Sequence, residues 1–147
     1  VAIIGILAAI AIPNYQKYVT RARITEAITF MGAARHDLAE YYQTQTRMPT
    51  GSGKQALALM SIDSSVMSAV VSSIDYKYVN EDKAILAAFL KKSIFQEDLT
   101  GAALEWYAEG VNGTIKWTCA SEGKVGTTKI PAKYLPADCR KGPPSGF

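Results

Sequence analysis

One histidine and two cysteines are all the imidazole and thiol chemistry that 147 residues carry. That scarcity removes most routes to catalysis. His36 stands between Arg35 and Asp37 in an amphipathic pattern, a helix-surface position with no Ser or Cys partner placed beside it. Cys119 and Cys139 enclose nineteen residues, without C-x-x-C and without a neighbouring His or third Cys, so a zinc site is not supported. In an oxidising compartment the two would pair, closing a loop worth about 3 kcal/mol; otherwise they are buried thiols. Gly51-Ser52-Gly53-Lys54 lacks the first glycine and the final Ser or Thr of a phosphate loop, because Met48 and Gln55 hold those positions. The acidic pairs Glu81-Asp82 and Glu97-Asp98 are adjacent in sequence and read as solvated turns, not as acid/base couples. No catalytic residue, metal or cofactor is expected.

Charge is equally restrained. Sixteen basic residues against thirteen acidic ones leave +3, too mild an excess to imply nucleic acid. Its distribution is uneven: Lys124, Lys129, Lys133, Arg140 and Lys141 face a single acidic residue, Asp138, across residues 124–147. These five are the candidates for polyanion contact, with a solvated basic tail as the plainer reading.

What the sequence does have is an apolar start. Residues 1–12 contain no polar side chain. As a helix this run spans about 18 Å, short of the bilayer's apolar thickness of about 30 Å. Its length suits a signal-peptide core, yet no basic stretch precedes it and no short cleavage site follows it. The chain begins at Val and not Met, so the run is expected to start within a longer apolar segment. Gly5 and Ala9 form a small-xxx-small pair, which lets helices approach closely where apolar surroundings remove the hydrophobic effect.

From Val19 onward, Ile24, Ala27, Ile28, Met31, Ala34, Leu38, Tyr41 and Tyr42 recur at three- and four-residue steps and form one stripe. Arg21, Thr25, Glu26, Arg35, Asp37 and Glu40 fall on other faces. Pro49 and Gly51 place the helix end near Arg47. One helix is therefore half anchor and half core. Residues 48–73 read as an irregular connection holding a short helix between Lys54 and Met60. Then alternation sets in. Ile74, Tyr76 and Tyr78 share a face, residues 84–90 read as a central strand with a helix as the alternative at that length, and Leu104, Trp106 and Ala108 alternate with Glu105, Tyr107 and Glu109 as a half-buried strand. Asn112-Gly113 signals a type I′ turn, here preferred to its reading as a glycosylation sequon. Ile115, Trp117 and Cys119 form the inward face of the last strand. The fold class is α+β: a long N-terminal helix on a roughly four-stranded antiparallel sheet. Residues 120–138 read as a long coil unable to hold itself by core burial, and residues 142–147 as an exposed, flexible end.

The run through Pro13, followed by Tyr15 and Tyr18, resembles the N-terminal helix of type IV pilins. The strand Gly113-x-Ile115-x-Trp117-x-Cys119 and the Tyr134-Leu135-Pro136 before Cys139 are similar to the C-terminal region of the type IVa members. In that family a leader, further apolar residues and a glutamate lie upstream. The resemblance implies a Cys119–Cys139 disulfide bounding a C-terminal loop. It implies a filament core built from Ile3, Ile4, Gly5, Leu7, Ala9, Ile12 and Pro13. Helicity is expected to be lost between Gly5 and Pro13 on assembly, as both residues weaken a helix. The expected division is residues 1–23 as a membrane and filament-core segment and 24–147 as the globular domain. Within the latter lie the amphipathic helix 24–47, connection 48–73, sheet 74–119, disulfide loop 119–139 and tail 140–147. The implied function is a structural subunit polymerising with copies of itself into an extracellular pilus, held in the inner membrane beforehand and handled by assembly machinery. Motility, adhesion to host or abiotic surfaces, and DNA uptake are the implied processes. A minor or competence pilin acting as a DNA- or surface-binding module is the alternative, and a type II secretion pseudopilin a weaker one.

Overall fold

The computed structural model describes residues 2–65 and 67–147, apart from the side chains of residues 2, 10, 11 and 13. Val1, the first residue of the apolar run, lies outside the described residues. Helix α1 (Ala2–Phe30) and helix α2 (Gly32–Gln45) follow one another through a single-residue turn. Met31 there has ψ −3°. The i→i−4 bonds from Met31 to Ala27 (3.1 Å) and from Arg35 to Met31 (3.0 Å) carry the axis across it, so the two act as one long helix. The end comes at Thr46, in the left-handed region at φ 54°, whose N–H bonds to the Tyr42 carbonyl. Pro49 bars continuation.

Helix α3 (Gly53–Leu59) occupies the connection where a short helix is expected. It leads to strands β1 (Val71–Asn80), β2 (Lys83–Leu90), β3 (Ala103–Val111) and β4 (Thr114–Ala120). They form one antiparallel sheet in the order β1-β2-β3-β4. Turn chemistry accounts for the β3–β4 hairpin. Asn112 and Gly113, at φ 51° and 76°, take the two left-handed positions that a type I′ turn demands.

The stripe of the long helix packs on one face of this sheet. Ile24, Ala27, Met31 and Leu38 are fully buried, and they meet Leu86, Leu104, Trp106 and Ala108 from the central strands. Truncating Leu38 to Ala in such a setting costs about 2–5 kcal/mol. The other face is not left to solvent. Ile85, Tyr107 and Ala120 form a second, smaller cluster there, with Val79, Val125 and Phe147 against it. The covering layer is the C-terminal segment, and this changes two expectations. Residues 120–138 do reach the core, since Ile130, Tyr134 and Leu135 are buried. Residues 142–147 fold back: Phe147 stands edge-on to Tyr107 at 5.2 Å, and Lys83 Nζ donates to the Ser145 carbonyl at 3.1 Å.

Strand β3 is accordingly buried on both faces. Its expected half-buried alternation fails at Glu105 and Tyr107, both 0% exposed. At its end it narrows for a neighbour: a Cβ at Gly110 would run into the Tyr42 ring. The Tyr42 hydroxyl donates to Asp82 Oδ1 at 2.8 Å beside it.

Candidate functional site

Burial along the long helix begins at Thr20, whose hydroxyl donates to the Ile94 carbonyl at 3.1 Å. Arg21 reaches the Lys133 carbonyl at 2.8 Å, tying the helix to the C-terminal loop. Before Thr20 the helix stands clear of the domain. Ile3 and Ile4 are each 73% exposed, and Ile6, Leu7, Ile12, Tyr15 and Tyr18 all exceed half exposure. A methyl group added at Gly5 would meet nothing within 4 Å, and Ala9 is exposed as well. Pro13 lies inside the helix, where its missing N–H leaves the turn before it one bond short. Among the described residues, no helix is long and apolar enough to cross a membrane. A monomer in water gains nothing from seven large exposed apolar side chains; each one hidden by a partner is worth about 1.5–3 kcal/mol.

The C-terminal loop, by contrast, is tied internally. Cys119 and Cys139 form a disulfide, with Cα atoms 4.5 Å apart. The loop it closes has a second hold that the sequence pattern did not reveal. Glu105 reaches from β3 through the outer face of the sheet and accepts from the backbone N–H groups of Val125 (2.8 Å), Gly126 (3.2 Å) and Glu122 (3.2 Å). The Tyr107 hydroxyl donates to the same carboxylate at 2.6 Å. Burial, and then that carboxylate, push the Tyr107 phenol above its usual range, so it remains a donor throughout physiological pH. Ser121 adds a third tie, donating to the Ala103 carbonyl at 2.9 Å and accepting from Ile130 N–H at 2.9 Å. A carboxylate with several N–H partners can sit in a buried site because each lone pair is satisfied. One sequence signal was available: Glu105 and Tyr107, two apart on a strand, share a face.

The basic candidates do not form one patch. Lys124 lies on the β1 side, beside Lys77, which donates to its carbonyl at 3.1 Å. Lys129 pairs with Glu122 and Lys133 with Glu97, each at 2.8 Å. Arg140 donates through Nε to the Leu135 carbonyl at 2.9 Å. Lys141 lies at the β4 side, lining a cleft with Trp117 and the disulfide. All five are exposed.

Arg35, placed by the sequence pattern on an outer face, turns instead along the sheet. Its guanidinium lies 5.8 Å from the ring centre of Trp106 and 5.9 Å from that of Trp117. His36 is exposed on α2. The acidic pairs serve turns and surface links. Asp82 receives Tyr42, and Asp98 receives the Thr100 hydroxyl, which with Lys92 holds its carboxyl below the usual range. No group of three or more His, Cys, Asp or Glu side chains suited to a metal occurs among the described residues.

Comparisons with known proteins agree with this geometry. A family model described as pilin, a bacterial filament protein, matches residues 20–140. That range opens at the residue where helix burial begins and closes just after the disulfide. The type IV major pilin protein PilE1 of Neisseria gonorrhoeae is 30% identical, over 95% of this chain and 81% of its own length. The fimbrial protein EcpC of Eikenella corrodens is 31% identical, over 95% of this chain and 83% of its own length. A fimbrial protein of Neisseria meningitidis serogroup B is 29% identical, over 95% and 87% respectively.

Proposed function

The chain belongs to the pilin family of type IV pilus subunits, and from that premise we propose that it is a major subunit, polymerising through residues 3–18 of α1 into the core of an extracellular filament. Before assembly the same segment holds the subunit in the inner membrane, and assembly machinery extracts it. Ile3, Ile4, Gly5, Leu7, Ala9, Ile12 and Pro13 make the helix-to-helix contacts of the core. The globular domain, begun where the helix meets the sheet, forms the outer wall.

The observation that carries this reading is the exposure of the first half of α1. Its apolar residues stand clear of the domain, so they add nothing to the fold of the monomer, while helices of neighbouring copies would cover them. The small residues Gly5 and Ala9 permit close approach of backbones. In support, named major pilins cover nearly the whole chain at about this level of similarity. The filament then serves adhesion to host or abiotic surfaces, twitching motility or DNA uptake.

Replacing Leu7 with Glu tests the reading. The domain keeps its stability, because Leu7 stands away from it, but a carboxylate in an apolar helix bundle costs several kcal/mol. Subunit recovered in sheared surface filaments is expected to fall at least about tenfold relative to total subunit. Filaments at the unaltered level would overturn the proposal.

A second role, contact with DNA, would need neighbouring copies to bring together Lys124, Arg140 and Lys141, which are separated in one subunit and have no ion-pair partner among the described residues. Such binding would weaken steeply with salt. Glutamine at Lys124, Lys129, Lys133 and Lys141 together is expected to lower low-salt DNA binding by filaments; unchanged binding removes this role.

A further inference from the structure

Arg35 is a cation that the subunit half buries without an anion. Its Nε is shut off from water and has no hydrogen-bond partner, and Arg35 enters no ion pair among the described residues. The two tryptophan faces stabilise its charge but accept none of its five N–H donors in the plane of the guanidinium. Beside it a cleft of about 440 Å³ opens, walled by Ile28, Trp117, Pro136 and the disulfide. Lys141 and Asp138 also line it, so with Arg35 the cleft carries two positive charges against one negative. Terminal N–H groups of Arg35 without a protein acceptor among the described residues, net positive charge and apolar walls together suit a carboxylate on an amphipathic surface.

The chain displays such a surface on the other flank of the same helix. Arg35 and Asp37 are two residues apart, which on a helix separates them by about 200°. There two depressions share Asp37. One is lined also by Glu40, Tyr41 and Leu59, the other by Phe30, Ile62 and Asp63. Asp37, Glu40 and Asp63 enter no ion pair among the described residues. Leu59, 55% exposed, supplies an apolar knob beside them.

We propose that the acidic flank of one copy docks into the Arg35 cleft of the next, with Asp37 and Glu40 accepting from the guanidinium and Lys141. The two surfaces differ and lie on opposite sides of one helix. The contact is therefore heterologous, and a heterologous contact that does not close on itself repeats as an open helix. It gives the outer wall a lateral bond that is independent of the α1 core. The inference rests on the filament reading.

Proximity is tested in the full chain by placing cysteines at Glu40 and Lys141 together and treating intact filaments with a short bis-maleimide. A ladder of covalent dimers, trimers and longer chains is expected, absent from either single variant; intact filaments that yield only monomer overturn the contact. Charge is tested by Arg35→Glu, expected to cut sheared filaments about tenfold, and by the swap Arg35→Glu with Asp37→Arg and Glu40→Arg, expected to restore at least half. Normal filaments from Arg35→Glu overturn the proposal, and so does loss of DNA binding alone, which would make the cleft a polyanion site. Absence of filaments from the unaltered chain marks failure of the filament reading and removes this inference with it.

Discussion

Residues 3–18 are largely apolar and, where their side chains are described, mostly face solvent, whereas residues 120–139 carry polar and apolar side chains in equal number and are held against the sheet. By composition alone the first segment should be the more deeply buried of the two. The inversion separates two kinds of need. An apolar segment left uncovered by its own chain calls for an apolar partner, a membrane or other copies, while a segment of mixed polarity tied from within calls for none. Glu105, Ser121 and the disulfide satisfy the loop within one subunit. Among the described residues, nothing in the subunit covers Ile3, Ile4 or Leu7.

The comparison breaks most readily at Glu105. Glu105→Ala leaves three backbone N–H groups and the Tyr107 hydroxyl without their acceptor. At about 1–3 kcal/mol for each buried unmet group, partly relieved by water, a loss of about 4 kcal/mol is expected. Urea unfolding of the domain measures it, and a loss below about 1 kcal/mol would show the loop is held by something else. Next comes the staple. Cys119→Ser with Cys139→Ser is expected to cost about 3 kcal/mol by loop entropy. Because Glu105 still grips residues 122–126, amide exchange there stays slow even in the double serine variant; immediate exchange would mean the disulfide alone fixes the loop.

A smaller effect is expected from Gly110→Ala, which pushes a methyl into the Tyr42 ring and costs about 1–3 kcal/mol by overpacking. A melting temperature equal to the unaltered domain's would contradict the close approach. The smallest effect is electrostatic. Lys133 holds the Glu97 carboxyl below its usual range, chiefly by a hydrogen bond. A carboxyl depressed on folding lends stability above its unfolded pKa and loses it as pH falls through the folded one. Lys133→Gln should therefore shave a little stability near neutrality and none in strong acid. Both groups are exposed, so a larger loss in acid than at pH 7 would refute this assignment.

Much of the layout was legible because it is local. The apolar run, the stripe from Ile24 to Tyr42 and the Asn112-Gly113 turn are patterns within a few residues, and each element formed where expected. What was not legible depends on distant residues. Glu105 reads as an outward strand position until a loop seventeen to twenty-one residues onward folds over it. Arg35 reads as helix surface until Trp106 and Trp117 arrive beneath it from another layer. Phe147 had no periodic context to place it on Tyr107. The disulfide pairing came from family resemblance, since spacing alone left free thiols open.

The central claim is that the exposed half of α1 is the contact between copies. Helical reconstruction of purified filaments, at a resolution that shows side chains, tests it most directly. The expected map has Ile3, Ile4, Leu7 and Ile12 of neighbouring copies in mutual contact along a water-free axis, with the sheet domains outside. A map with those side chains facing solvent, and the domains alone holding the filament together, would contradict it.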